Sequence, residues 1–271
     1  MEEPTNIQVT LNPDGVFAPL LTILGQSSKN VLFGLQLIDS FDQPINPADI
    51  QSEDTFFTLH FDDPQKEQDI ALSKENFKLF MLQKGFEDLI KGVNLTLIEA
   101  YYFTSLVAKR NNMKTFKDLQ DEIGQLRKSA FKQHLPELLK KVTPGLSGSL
   151  LYESDIISLN KVRNCLVHRN GLVTEKDITD EITNQLQVEH SRMIMVCEKD
   201  GVEEEIEMFT MLSAGSSIRV KMVKETINFK LGDKIKFDFK QFNSLLTTCW
   251  LFGNDLAQKL PTIETTQETN K

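Results

Sequence analysis

Residues 152–171 read YESDIISLNKVRNCLVHRNG, and the fold turns on how this stretch is understood. Ile156, Leu159, Val162 and Leu166 recur at spacings of three and four, one apolar stripe of a helix. The spacing predicts a helix from about Tyr152 to His168, with Gly171 as its C-terminal cap or the start of the next turn. At about 100° per residue, Arg163 falls inside the apolar arc, about 40° from Leu159. An arginine on a buried face is unusual, because its charge resists desolvation unless it is paired or serves a purpose. Asn164 and His168 are four apart and share a face, so the amide can hydrogen-bond the imidazole and set its orientation. Arg163 and His168 lie about 140° apart around the helix. They converge only through the reach of the arginine, the ending of the helix or a second copy of the chain.

Helical spacing continues upstream. From Ser73 to Arg110 there is no proline, and Phe77, Phe80, Met81, Leu89, Ile90, Val93, Leu97 and Tyr101 mark one stripe, with Ser73 as N-cap. After Asn111-Asn112 a second helix runs through Phe116, Leu119, Ile123, Leu126 and Ala130, and Pro136 and Pro144-Gly145 punctuate its end. Downstream the period changes to two. Lys199-Asp200-Gly201 between Met193–Cys197 and Val202–Phe209 predicts a hairpin, and Gly232-Asp233 between Ile227–Leu231 and Ile235–Phe239 predicts another. A last helix, Gln241 to Leu260, is apolar enough to be buried, and the polar tail from Pro261 frays. Near the start, Ile7, Val9 and Leu11 alternate as in a strand, Asn12-Pro13-Asp14-Gly15 reads as a turn, and Val31 to Ile38 reads as a buried strand.

These readings predict an α+β, mainly α chain. Residues 1–66 form a mixed segment with short strands, 67–260 a helical bundle with a small antiparallel β insertion at about 186–240, and 261–271 a flexible tail. Three helices are completed by the C-terminal one.

The 271 residues carry 39 acidic and 30 basic side chains, for a net charge of −9. That balance argues against a protein that coats nucleic acid non-specifically, since phosphate binding needs clustered cations. A local basic groove is still allowed. The three cysteines are scattered and the four histidines unclustered, so neither a metal site nor a cofactor is expected. Reduced cysteines, a polar start at Met1-Glu2-Glu3-Pro4 and no apolar run of about 18 residues lead to the expectation of a cytoplasmic protein free of the membrane.

The pattern Arg163-Asn164-Cys165-Leu166-Val167-His168, closed by Arg169-Asn170-Gly171, resembles the HEPN family. That family is defined by an Arg, usually a polar residue after it, and a His four to six residues on, near the end of the third helix of a bundle. The resemblance covers about 73–170 and the last helix, not the first segment or the inserted sheet. It implies a metal-independent RNA endonuclease, a toxin or defence effector working as a homodimer, with an antitoxin or other protein as partner. Arg163, Asn164 and His168 would be its catalytic residues. In such a site the His exchanges a proton with the ribose 2′-hydroxyl or the leaving oxygen. The Arg stabilises charge building on the phosphorane. Histidine's ordinary pKa of about 6.5 suits this work near neutral pH. Lys161, Arg169 and Lys176 would add positive charge for RNA. Toxin members carry a Tyr two residues after the His, where this chain has Asn170, a departure from that branch.

Plainer roles stand beside these. Arg163 can be a structural arginine paired with Glu87, Asp88 or Glu99, and His168 can simply face the last carbonyls of its helix. Cys165 reads as a small core residue. The alternative for the whole chain is a catalytically silent HEPN-like scaffold for dimerisation or protein interaction.

Overall fold

The computed structural model describes residues 11–41, 70–110, 115–199, 201–206, 211, 215 and 217–262. Helix α1 spans Asp14–Asp39, α2 Ile70–Lys109, α3 Phe116–Ala130, α4 Leu135–Val142, α5 Glu153–Arg169 and α6 Phe239–Gln258. Between α5 and α6 lie β1 (Gln185–Lys199), β2 (Val202–Ile206) and β3 (Ser217–Lys230), an antiparallel sheet ordered β2-β1-β3. The chain is therefore mainly α, with a small antiparallel sheet inserted before the last helix.

The core gathers one stripe from each helix. Leu20, Leu24 and Val31 of α1 meet Phe86, Leu89, Val93 and Leu97 of α2, with Ile156, Leu159 and Val162 of α5 and Phe242, Leu245, Phe252 and Leu256 of α6. Two glycines let the helices come close. A Cβ on Gly85 of α2 would lie 2.4 Å from the Val31 side chain, and one on Gly253 of α6 would lie 2.3 Å from the Phe17 ring.

The strand expected at Val31–Ile38 is instead the last part of α1. A short apolar run fits a buried strand or a helix equally by periodicity. Length decides for the helix: buried Val16, Leu20, Leu24, Ser27, Val31 and Gly34 continue one stripe, while Leu32, Phe33 and Leu37 are exposed. The expected turn Asn12-Pro13-Asp14-Gly15 is the helix entry, where Asn12 Oδ1 accepts from the Asp14 N–H at 2.9 Å. Ile7 and Val9 lie outside the described residues. Ser73 sits inside α2 and is not its cap. Pro136 does not close α3. It opens α4, a position where a missing N–H costs nothing.

The first expected hairpin forms between β1 and β2, with Lys199 opposite Val202 and Gly201 (φ 77°) in the turn; Asp200 lies outside the described residues. The second expected hairpin does not. After Gly232 (φ 87°) the chain runs beside the segment following α5. The Val173 N–H donates to Asp233 O, the Gly232 N–H to Val173 O and the Ile235 N–H to Gly171 O, at 2.8–2.9 Å. This partner takes the backbone groups a hairpin would have used, while Ile235 and Phe237 are buried. Asp238 and Gln241 then cap α6 reciprocally.

These connections hold α5 at both ends. At its start, buried Asp155 pairs with Lys224 of β3, whose ammonium lies 5.2 Å from the Tyr152 ring centroid. At its finish the 232–235 segment straps residues 171–173.

Candidate functional site

Helix α5 ends where its sequence predicts. Asn170 takes the left-handed conformation (φ 52°, ψ 34°), and the Gly171 N–H reaches back to Cys165 O at 3.1 Å. The Asn170 N–H donates to the same carbonyl, so the reversed turn folds back over the last turn of the helix. Gly171 itself has φ 74° and packs against Leu166, a combination that favours glycine.

Just past this turn, buried Asp177 accepts hydrogen bonds from the Thr174 N–H and hydroxyl, each at 2.9 Å, and from both Nε and Nη2 of Arg169. Burial alone would raise its pKa, but the bonds from Thr174 and Arg169 outweigh it and hold the carboxyl below the ordinary range. Arg169 is thus neutralised within the fold. It is not free for RNA phosphate, contrary to the expectation from sequence. Burial first, and the Asp177 charge second, push the Cys165 thiol up. Cys165 is fully buried and serves as core.

Arg163 has different company. It lines a cleft of about 470 Å³ walled by α2, by the entry to α4 and by α5. Helix α2 contributes Glu87, Asp88, Lys91 and Asn94; the α4 entry contributes Gln133, His134 and Pro136; α5 contributes Asn160, Arg163 and Asn164. One Nη1 N–H of half-buried Arg163 donates to Asn164 Oδ1 at 3.1 Å. Among the described residues no carboxylate pairs with Arg163, and Glu87 is taken by Lys84 at 2.6 Å. Glu99 faces a separate cleft with Tyr102 and Arg127. The structural ion pair considered for Arg163 is therefore not formed.

No known protein family, curated protein or solved structure matches the chain.

His168 is exposed and is not part of the cleft wall. It continues the row Asn160–Asn164 by one more turn, about 5.4 Å further along the helix. The amide of Asn164, expected to orient His168, accepts from Arg163 instead. Adjacent helical residues rarely face one another, yet the long arginine side chain curls over to its neighbour, and the exposed imidazole has water as a competing partner. Lys161 and Lys176 are exposed, Lys161 on α5 and Lys176 beyond the turn. The structure thus brings Arg163 and Asn164 into one cleft and leaves His168 beside it.

Sequence reasoning missed His134 and the amides of Asn94, Gln133 and Asn160. The signal for His134 was the Pro136 that places it at a helix start, read as a stop. Among the described residues no group of three His, Cys, Asp or Glu could hold a metal ion, and no helix is long and apolar enough to cross a membrane.

Proposed function

We propose that this chain is a metal-independent RNA endonuclease of the HEPN type, a toxin or defence effector that completes its site as a homodimer in the cytoplasm. One observation carries the reading. A half-buried guanidinium, held by an amide and not quenched by a carboxylate, opens into a cleft one turn from an exposed histidine. An amide orients a cation without cancelling its charge, so Arg163 remains able to take an anion.

The chemistry is a transesterification. The ribose 2′-oxygen bonds to phosphorus, the bond from phosphorus to the 5′-oxygen breaks, and a 2′,3′-cyclic phosphate and a 5′-hydroxyl result. His168 takes the 2′-hydroxyl proton or supplies one to the leaving oxygen. Arg163, positioned by Asn164, balances charge on the phosphorane. A single chain supplies one such histidine, and a second copy would supply the other. Val167 and Leu172, one residue before His168 and four after it in the chain, are 42% and 49% exposed and offer apolar surface for that partner to cover. Lys161 and Lys176, both exposed, would add positive charge for the RNA backbone.

The test is purified chain with mixed-sequence RNA in EDTA. We expect cyclic-phosphate ends, and a fall of about 100-fold or more in His168→Ala and Arg163→Ala with thermal unfolding unchanged. The position of His168 outside the cleft favours a second reading, a catalytically silent scaffold of the same fold that pairs with itself or another protein. RNA left intact by a stable dimer would decide for it.

A further inference from the structure

Beside Arg163 the cleft holds more chemistry than phosphate binding requires. Asn94 and Asn160 are half-buried in its wall, and among the described residues neither carboxamide has a hydrogen-bond partner. Gln133 donates once, to Ser129 O at 3.3 Å, and keeps its carbonyl oxygen. Half-buried amides without partners cost free energy unless water or a ligand satisfies them. Each carboxamide presents an acceptor and a donor side by side. Adenine and cytosine match this pair, each with an amino group next to a ring nitrogen. Ile90 and Leu135, buried, and Pro136, half-buried, give the same cleft an apolar lining that can support a base plane. Two carboxylates line the cleft: Glu87 is paired with Lys84, and Asp88 repels phosphate but accepts from an amino group. The cavity lies in the size range of small-ligand sites, about 300–1,000 Å³.

We propose that this cleft is a base-recognition subsite that takes a base with an amino group beside a ring nitrogen, adenine or cytosine, next to the scissile phosphate, with Asn94 and Asn160 reading its edge. The proposal rests on the ribonuclease reading and adds a specificity to it. Neither asparagine touches the reacting atoms, so they act on choice of site and not on the chemical step. Uracil has no amino group to give Asp88 and would set a carbonyl there instead.

Two measurements separate this proposal from the reading beneath it. The first is cleavage of short RNAs that differ only in the base flanking one scissile bond. Wild type should favour adenosine about tenfold or more over uridine. Asn160→Ala and Asn94→Ala should each bring the adenosine rate down towards the uridine rate, so that the ratio between the two substrates falls to about one. The second is calorimetric binding of adenosine 3′-monophosphate and uridine 3′-monophosphate to the full chain. The adenosine nucleotide should bind more tightly, and Asn160→Ala should remove the difference. Cleavage with no base preference, or with a preference untouched by both variants, overturns the subsite and leaves the ribonuclease standing. RNA left uncut while the adenosine nucleotide binds through Asn160 supports the subsite and overturns the ribonuclease. Uncut RNA together with equal or absent nucleotide binding overturns both.

Discussion

Arg163 and Arg169 leave the same helix six residues apart and meet opposite surroundings. Arg169 turns toward the loop after the helix and is neutralised by Asp177, a carboxylate only 1% exposed that Thr174 also holds. Arg163 turns toward α2 and α4, is held by the neutral amide of Asn164, and keeps its charge. The first pairing fastens the helix end; the second leaves a cation available. The residue type is the same, and the partner decides between structure and chemistry. A carboxylate satisfies a guanidinium geometrically and electrostatically together, whereas an amide does only the former.

Removing Asp177 should give the largest effect on stability. Asp177→Ala leaves Arg169, itself 25% exposed, without its counter-charge, and we expect a loss of about 2–4 kcal/mol in chemical denaturation. Arg163→Ala should cost under about 1 kcal/mol by the same measurement, since no ion pair is broken. The pH dependence carries the same contrast. The folded pKa of Asp177 is depressed, so its stabilisation is present above the unfolded value and is lost as pH falls through the folded one. Wild type should therefore weaken below about pH 5, and Asp177→Asn should flatten that acid limb. Equal stability losses for Arg163→Ala and Asp177→Ala would erase the distinction between the two arginines.

The next effect is on activity. Asn164→Asp gives Arg163 the kind of partner Arg169 already has. We expect cleavage to fall about tenfold or more, roughly 1.4 kcal/mol of lost transition-state stabilisation, with folding changed by less than about 0.5 kcal/mol. A variant as active as wild type would show that the free charge on Arg163 is not what the cleft uses.

Which of these features were legible in the sequence follows from how local they are. Helices α2, α3, α5 and α6 and the β1–β2 hairpin depend on neighbours within a few residues, and they form, although Phe77, Phe80 and Phe116 of the expected stripes are exposed. So does the Asn170-Gly171 ending of α5. Val31–Ile38 was misread because an apolar run carries no period, and its helical stripe shows only when Val16 and Leu20 are counted in. Gly232-Asp233 does make a turn, but its partner is the 171–173 segment, about sixty residues upstream, which no local pattern names. The site divides the same way. Arg163 and Asn164 could be singled out as a buried-face arginine and its polar neighbour. That Arg169 would be spent on Asp177 required the fold of the following turn. That His134, Asn94 and Asn160 would share a wall with Arg163 required the packing of three helices.

The smallest effect tests whether burial, and not pairing alone, makes the Arg169 contact matter. Lys221 of β3 pairs with Glu203 of β2, as Arg169 pairs with Asp177, but these side chains are 43% and 35% exposed. Water screens the attraction and competes for both groups, and two long side chains lose rotamer freedom to make it. Lys221→Ala should therefore cost under about 1 kcal/mol in the same denaturation series, well short of the Asp177→Ala loss, and should be insensitive to added salt beyond that amount. If the exposed pair proved as costly to break as the buried one, the stability assigned to Asp177 would have to come from its Thr174 bonds and the turn they close. Arg169 would then be as free in energetic terms as Arg163, despite its partner.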